Sequence, residues 1–231
     1  MKHVPIFIGL VAVVAPAMAV ERRYSLGDFD RVQVEGPYQV HLTTGTATIG
    51  RAAGSQQALD RLSVDVQGST LRIRPNRSAW GGYPGQSSDP PPTIFVSTRT
   101  VRAVSVRGSG GISVDKVRAP KLDLSLAGSG RIAIGAVEVD ALALTQLGAG
   151  QLTLAGRAKQ AKLFVQGSGA IDAAAFRADD VQVNAETAGN VSLAAVKTAK
   201  IRSTGAGDVI VSGNAACTVE ALGAGAVRCG R

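Results

Sequence analysis

Histidine is almost missing from this chain. Of its two, His3 lies within the first nineteen residues, which leaves His41 alone in the body of the protein. A Ser-His-Asp relay would have to use that residue, and no G-x-S-x-G turn accompanies it. Alternation between Val40 and Leu42 turns His41 outward, the ordinary place of a solvated strand histidine. Two cysteines add too few ligands for a zinc site of the usual His and Cys composition. No catalytic residue, metal ligand or cofactor site is therefore expected. Aromatic residues make up only 4% of the chain, so the interior of a 45% hydrophobic sequence must be thin and layered, built from Ala, Val, Leu and Ile. Runs of five or six like charges are absent too, and no nucleic-acid partner is expected. What remains is a scattered excess of positive charge, formally +8, which suits anionic partners or, more simply, a solvated surface.

Met1 to Ala19 stands apart. Lys2 and His3 precede an apolar run from Val4 to Val14, and the segment ends in Ala17-Met18-Ala19, a small-x-small cleavage signal. The run is shorter than the roughly 20 residues that cross a bilayer, so a cleaved secretory signal is expected rather than an anchor. No Cys follows Ala19 directly, which disfavours a lipid anchor, and no later run is long enough to span a membrane. Val20 to Arg231 is then expected to form one elongated exported domain, in the periplasm or at the cell surface.

Its organising feature is a phrase that returns. VSVRGSGGISV, LSLAGSGRIAI, LTQLGAGQLTL, LFVQGSGAIDA, VNAETAGNVSL, IRSTGAGDVIV and VEALGAGAVRC each place two short alternating runs around a hinge. The hinges begin at Gly108, Gly128, Gly148, Gly167, Thr187, Gly205 and Gly223, at spacings of 20, 20, 19, 20, 18 and 18. A sustained period of this size is the mark of a repeat architecture. Four residues after each hinge stand Ile112, Ile132, Leu152, Ile171, Val191, Val209 and Val227; six after it stand Val114, Ile134, Leu154, Ala173, Leu193, Val211 and Cys229. Apolar columns also precede the hinge, as at Val104 and Val106, Leu124 and Leu126, or Leu163 and Val165, with polar residues between.

Period two on both sides of a hinge means short strands with one face inward, because apolar residues at i and i+2 fall on different sides of a helix. Recurrence of the same columns further means stacking, with equal columns above one another at about 4.8 Å. The fold expected is therefore all-β, a single-stranded parallel β-helix with coils of 18 to 20 residues and Gly-Ser/Ala-Gly corners. Gly110, Gly130, Gly150, Gly169, Gly207 and Gly225 close those corners, where positive φ or close backbone approach favours glycine. In the third unit Gln146 stands in the inward column and Leu147 follows, which predicts a local bulge that displaces the register by one.

The front half carries the same pattern less regularly. Val32, Val34, Val40 and Leu42 flank a hinge at Gly36, and LSVDVQGSTLRI from Leu62 to Ile73 reads as two strands about a turn. Between about residues 75 and 92 the sequence NRSAWGGYPGQSSDPP cannot continue a strand and reads as a loop inserted into a coil.

The phrase FDRVQVEGPYQVHL, followed by LDRLSVDVQGSTLRI and the GSG series, resembles the bacterial head GIN domain family of autotransporter-adhesin-like proteins. The resemblance covers nearly all of Tyr24 to Arg231. It implies a right-handed β-helix of the pectin-lyase type, exported, with a role in adhesion or envelope binding, and it carries no catalytic residues onto this chain.

Three rival readings fit the residues poorly. Calcium-binding nonapeptide repeats need Asp recurring after the glycines, where only Asp208 occurs. No helix or Lys-Ser/Thr follows any hinge, which removes a phosphate loop. A polysaccharide lyase or glycoside hydrolase would need paired carboxylates on one outer face, whereas Asp115, Asp123 and Asp140 fall in scattered columns and Asp179-Asp180 reads as a turn. A binding or adhesion module is the preferred reading, that enzyme the alternative, and a structural spacer third. Its partner would be an anionic envelope polysaccharide or a surface protein, and an end-to-end dimer is also open. For contact residues, Trp80, Tyr83, Arg77 and Arg74 form a set able to stack on sugars and pair with acidic groups. The simpler alternative, an insert whose aromatics fold back over one end of the apolar ladder, is preferred. Cys217 and Cys229 lie six residues before and after the last hinge, both in inward columns. Strands diverging from one corner would hold them apart as buried thiols, while an exported protein with an even pair favours a disulfide that closes an open last coil. The second reading is slightly favoured.

Overall fold

The computed structural model describes residues 20–76 and 89–230. The chain forms β1 (Val20–Tyr24), β2 (Arg31–Glu35), β3 (Gln39–Thr44), β4 (Ile49–Gly54), a short α1 (Gln56–Asp60), β5 (Leu62–Gln67), β6 (Thr70–Pro75), β7 (Thr93–Thr98) and β8 (Ala103–Gly108). Long bent strands follow: β9 (Gly111–Gly128), β10 (Arg131–Gly148), β11 (Gln151–Gly167), β12 (Ala170–Thr187) and β13 (Val191–Ser203). The last are β14 (Val209–Ser212), β15 (Ala216–Ala221) and β16 (Val227–Cys229). They wind into a parallel β-solenoid of about six turns, the architecture the repeats predict.

The pairing reproduces the sequence columns. Ile112 lies beside Ile132, Ile132 beside Leu152, Leu152 beside Ile171, Ile171 beside Val191, Val191 beside Val209 and Val209 beside Val227. Val104 and Leu124, and Val106 and Leu126, are paired before the hinge in the same way. These columns form one continuous buried core along the stack. Backbone bonds link the hinges as well, Ser129 N to the Gly108 carbonyl at 3.1 Å and Gln151 N to the Gly130 carbonyl at 3.0 Å.

The two hinge glycines do different work. Gly108, Gly128, Gly148 and Gly167 have φ between 103° and 119°, where a side chain is strained. Gly130 has no positive φ; a Cβ there would run into the carbonyl oxygen of Gly110 in the preceding coil.

The expected displacement at Gln146 does not occur. Thr145 pairs with Ser125, Gln146 with Leu126 and Leu147 with Ala127, so the register runs through unbroken. Gln146 is fully buried and Leu147 is 41% exposed. The side chain can enter the core because its Nε2 donates to the Gly150 carbonyl at 2.6 Å. Register shifts fall elsewhere, part-way along the long strands: between Ile134 and Val137, Thr153 and Ala155, Ala173 and Arg177, and Ala178 and Asp180.

Stacking order departs from chain order in the front half. β2 and β3 lie directly against β8 and the start of β9, so the Gly36 hinge sits beside Gly108 and Gly110. On their other side β2 pairs with β6 and β3 with β7, which makes β6 and β7 the two arms of a further coil. Most of the loop expected between residues 75 and 92 lies outside the described residues. Antiparallel strands finish this end: β5 on β6, β4 on β7 and β1 on β4. Ser55 caps α1 by accepting the Ala58 N–H at 3.1 Å, and Ala58 and Leu59 are buried against the end of the core.

At the other end β15 pairs with β13 alone and is exposed throughout. Cys217 and Cys229 are joined in a disulfide with Cα atoms 6.3 Å apart. They extend the columns of Ala199 and Val211, so the two arms of this narrow coil are close enough for a bond across its interior.

Candidate functional site

Part-way along the long strands each coil bends, and the bends of successive coils line up. Thr44 and Gly45 at the end of β3, Arg99 and Thr100 after β7, and the stretches 116–118, 136–138, 156–157 and 174–177 of the following coils form one groove of about 860 Å³ along the stack. Its floor is shallow. Val117, Val137 and Phe176 lie beneath it but are at most 2% exposed, their side chains spent on the core. Ala136, Gly156, Ala174, Ala175 and Ala194 leave the surface between them low.

Charge stands on the rim. Register places Arg118 beside Glu138, Glu138 beside Arg157 and Arg157 beside Arg177, one row across four coils. Arg118 donates to Glu138 Oε2 through Nε at 2.9 Å and Nη2 at 2.5 Å, and Arg157 Nη2 binds Glu138 Oε1. Arg157 first, then Arg118, hold the Glu138 carboxyl below the ordinary carboxylate range, while Glu138 raises the Arg157 guanidinium. Arg177 has no hydrogen-bond or ion-pair partner among the described residues, nor does the Lys116 ammonium. Arg99, Lys116, Arg118, Arg157 and Arg177 thus face a single groove carboxylate.

Of the contact set read from the sequence, Arg77, Trp80 and Tyr83 lie outside the described residues. Arg74 is exposed on β6, 3.6 Å from Asp65, and lines a small depression with Gln33, Glu35, Arg72 and Arg107, not the groove. His41 faces outward, stacked on Phe95 at 5.2 Å between centroids, with Arg51 over the same ring at 4.5 Å. Asp179 and Asp180 lie within β12 rather than in a turn, bound by Lys197 at 2.9 Å and Thr198 at 2.7 Å of the next coil. Asp115 accepts the Thr44 and Lys116 N–H groups, and Asp123 and Asp140 pair with Lys121 and Lys159. The basic row lies beyond the apolar columns, which end at the sixth residue after each hinge. Arg118, Glu138 and Arg177 stand ten residues after theirs and Arg157 nine, a signal present in the sequence.

A solenoid with short hinges, an end capped by antiparallel strands and a lateral groove can be compared with known proteins as a whole. Residues 28–215 match the family described as putative auto-transporter adhesin, head GIN domain. The chain belongs to that family. A putative adhesin from Bacteroides fragilis has a similar structure, with a TM-score of 0.83, 20% identity, and 91% of this chain and 96% of the other covered. A putative lipid binding protein from Parabacteroides distasonis aligns with a TM-score of 0.72, 20% identity and coverage of 92% and 97%. A putative adhesin from Parabacteroides merdae does so at 0.68, 14%, 92% and 96%. At such identities these likenesses show the head GIN fold and nothing of its ligands. Comparison with curated proteins gave no match.

Proposed function

We infer that this head GIN chain is an exported, non-catalytic binding module of the bacterial envelope, acting in adhesion or in holding an envelope polymer at the periplasm or cell surface. The observation that carries the reading is the groove: a long, shallow channel made by equivalent positions of successive coils, suited to an extended partner lying along the stack. The family description as an adhesin head supports it, as do the signal-like Met1 to Ala19 segment and an adhesin among the similar structures. No helix among the described residues is long and apolar enough to cross a membrane.

The chemistry of the groove favours binding over turnover. General acid catalysis needs a carboxyl that can hold a proton near working pH, and Glu138 is driven the other way by two guanidiniums. The test is retention of envelope polysaccharides, acidic and neutral, by the full exported protein, with released reducing ends and unsaturated sugars measured on the same samples. Retention without product is expected. Accumulating product would establish the lyase or hydrolase instead, and failure to retain any polymer would leave a spacer.

A further inference from the structure

The groove's charge pattern also speaks to the chemistry of what it holds. We propose that it binds an acidic polysaccharide, a chain bearing carboxylates on successive sugars, laid along the solenoid with about one sugar ring per coil. This rests on the binding-module reading above and gives it a ligand class.

Three observations lead there. First, the cations are spread rather than gathered: Arg99, Lys116 with Arg118, Arg157 and Arg177 come from four coils, so no single small anion could meet them all. Successive coils are about 4.8 Å apart, close to the length of one pyranose in an extended glycan, so the charges of an acidic sugar chain fall in step with the coils that carry the cations. Second, the floor is apolar but closed. The larger side chains beneath it are buried in the core, leaving a flat strip of Ala and Gly on which ring faces can rest and no slot to take up an acyl chain. Third, the groove has no exposed aromatic ring among its lining residues, since Phe176 is 1% exposed, and single-stranded nucleic acids depend on such rings for stacking.

Glu138 already occupies one place in the row. Its carboxylate sits between Arg118 and Arg157 as a ligand carboxylate would, so the free positions are at Arg177 and Lys116.

The experiment is calorimetric titration of the full exported protein with a hexamer of galacturonate, with a glucose hexamer and phosphatidylglycerol vesicles as the other arms. Arg177→Glu should weaken binding by about tenfold or more, the loss of one charge-assisted contact and the gain of a repulsion. Arg131→Glu makes the same change in net charge outside the groove, where Arg131 reaches Gln151, and should leave binding unchanged. Glu138→Gln should strengthen it severalfold by releasing two guanidiniums. Thermal midpoints of all three should stay near wild type, since Arg177 and Arg131 are exposed and the Glu138 ion pairs lie at the surface. Equal weakening by the two reversals, equal affinity for the glucose hexamer, or vesicle binding without hexamer binding would each overturn the proposal. A protein that retains other envelope polymers but ignores galacturonate removes this inference alone; one that retains none removes the binding reading with it.

Discussion

Gln146 sits in a column otherwise filled by Leu126 on one side and Val165 on the other, with no solvent exposure. Its Nε2 is satisfied by the Gly150 carbonyl, but its Oε1 has no hydrogen-bond partner among the described residues. A buried acceptor left unpaired costs about 1 to 3 kcal/mol, more than the net worth of one ordinary hydrogen bond. Met has nearly the same shape and no such oxygen. The Gly150 carbonyl keeps the Ala170 N–H at 3.1 Å when the glutamine is lost. Gln146→Met is therefore expected to raise stability by about 1 kcal/mol, read as a higher urea midpoint at unchanged slope. A lower midpoint would mean that the oxygen is satisfied in solution. Hydropathy misplaces this residue because it weighs Gln146 against Leu147 singly. The backbone of a stacked coil cannot slip by one without breaking its ladder on both sides, so the pairing overrides the local preference.

At the scale of the coil, stability is a matter of how closely one corner sits on the next. Gly130 is held by proximity and not by φ: a Cβ there meets the Gly110 carbonyl, which itself accepts the Arg131 N–H at 3.0 Å and cannot move without loss of that bond. Gly130→Ala is expected to destabilise by about 1 to 3 kcal/mol, the usual range for forcing a methyl group into a filled site. Gly27→Ala serves as the control, since nothing lies within 4 Å of a Cβ at Gly27 and its φ is ordinary. Equal denaturant midpoints for the two variants would show that the corners yield. Strand columns and corners were legible because each coil must satisfy the same steric conditions, and so the conditions repeat in the sequence. The hinge at Gly36 was legible for the same reason, although its place in the stack was not: nothing local reports that β6 and β7 lie on its far side. The groove was hidden by the bends. Register shifts near Val137 and Ala155 put Arg157 nine residues after its hinge and its neighbours ten, which blurs a column that space keeps straight.

Over the whole molecule the two described ends are closed by different means. β1, β4, β5 and α1 cover the end at β6 and β7, where Leu59 and Leu62 are buried. At the other end β15 and β16 are each held by one ladder, to β13 and to β14, and by the Cys217–Cys229 bond, with Val219 45% and Leu222 63% exposed. In a stacked array each coil is stabilised by its own contacts and those with its neighbours, so the coil with one neighbour opens first. The disulfide closes a loop of sequence separation 12 and is expected to stabilise that coil by about 3 kcal/mol. Reduction should then act locally: amide exchange in Ala216–Ala221 and Val227–Cys229 should accelerate by roughly a hundredfold, since each 1.4 kcal/mol is a factor of ten. β9 to β12, paired on both sides, should keep their protection. Uniform acceleration along the chain would instead make the solenoid a single cooperative unit clamped from its end. Unchanged exchange in the last coil would mean that the ladder to β13 and β14 holds it without the bond.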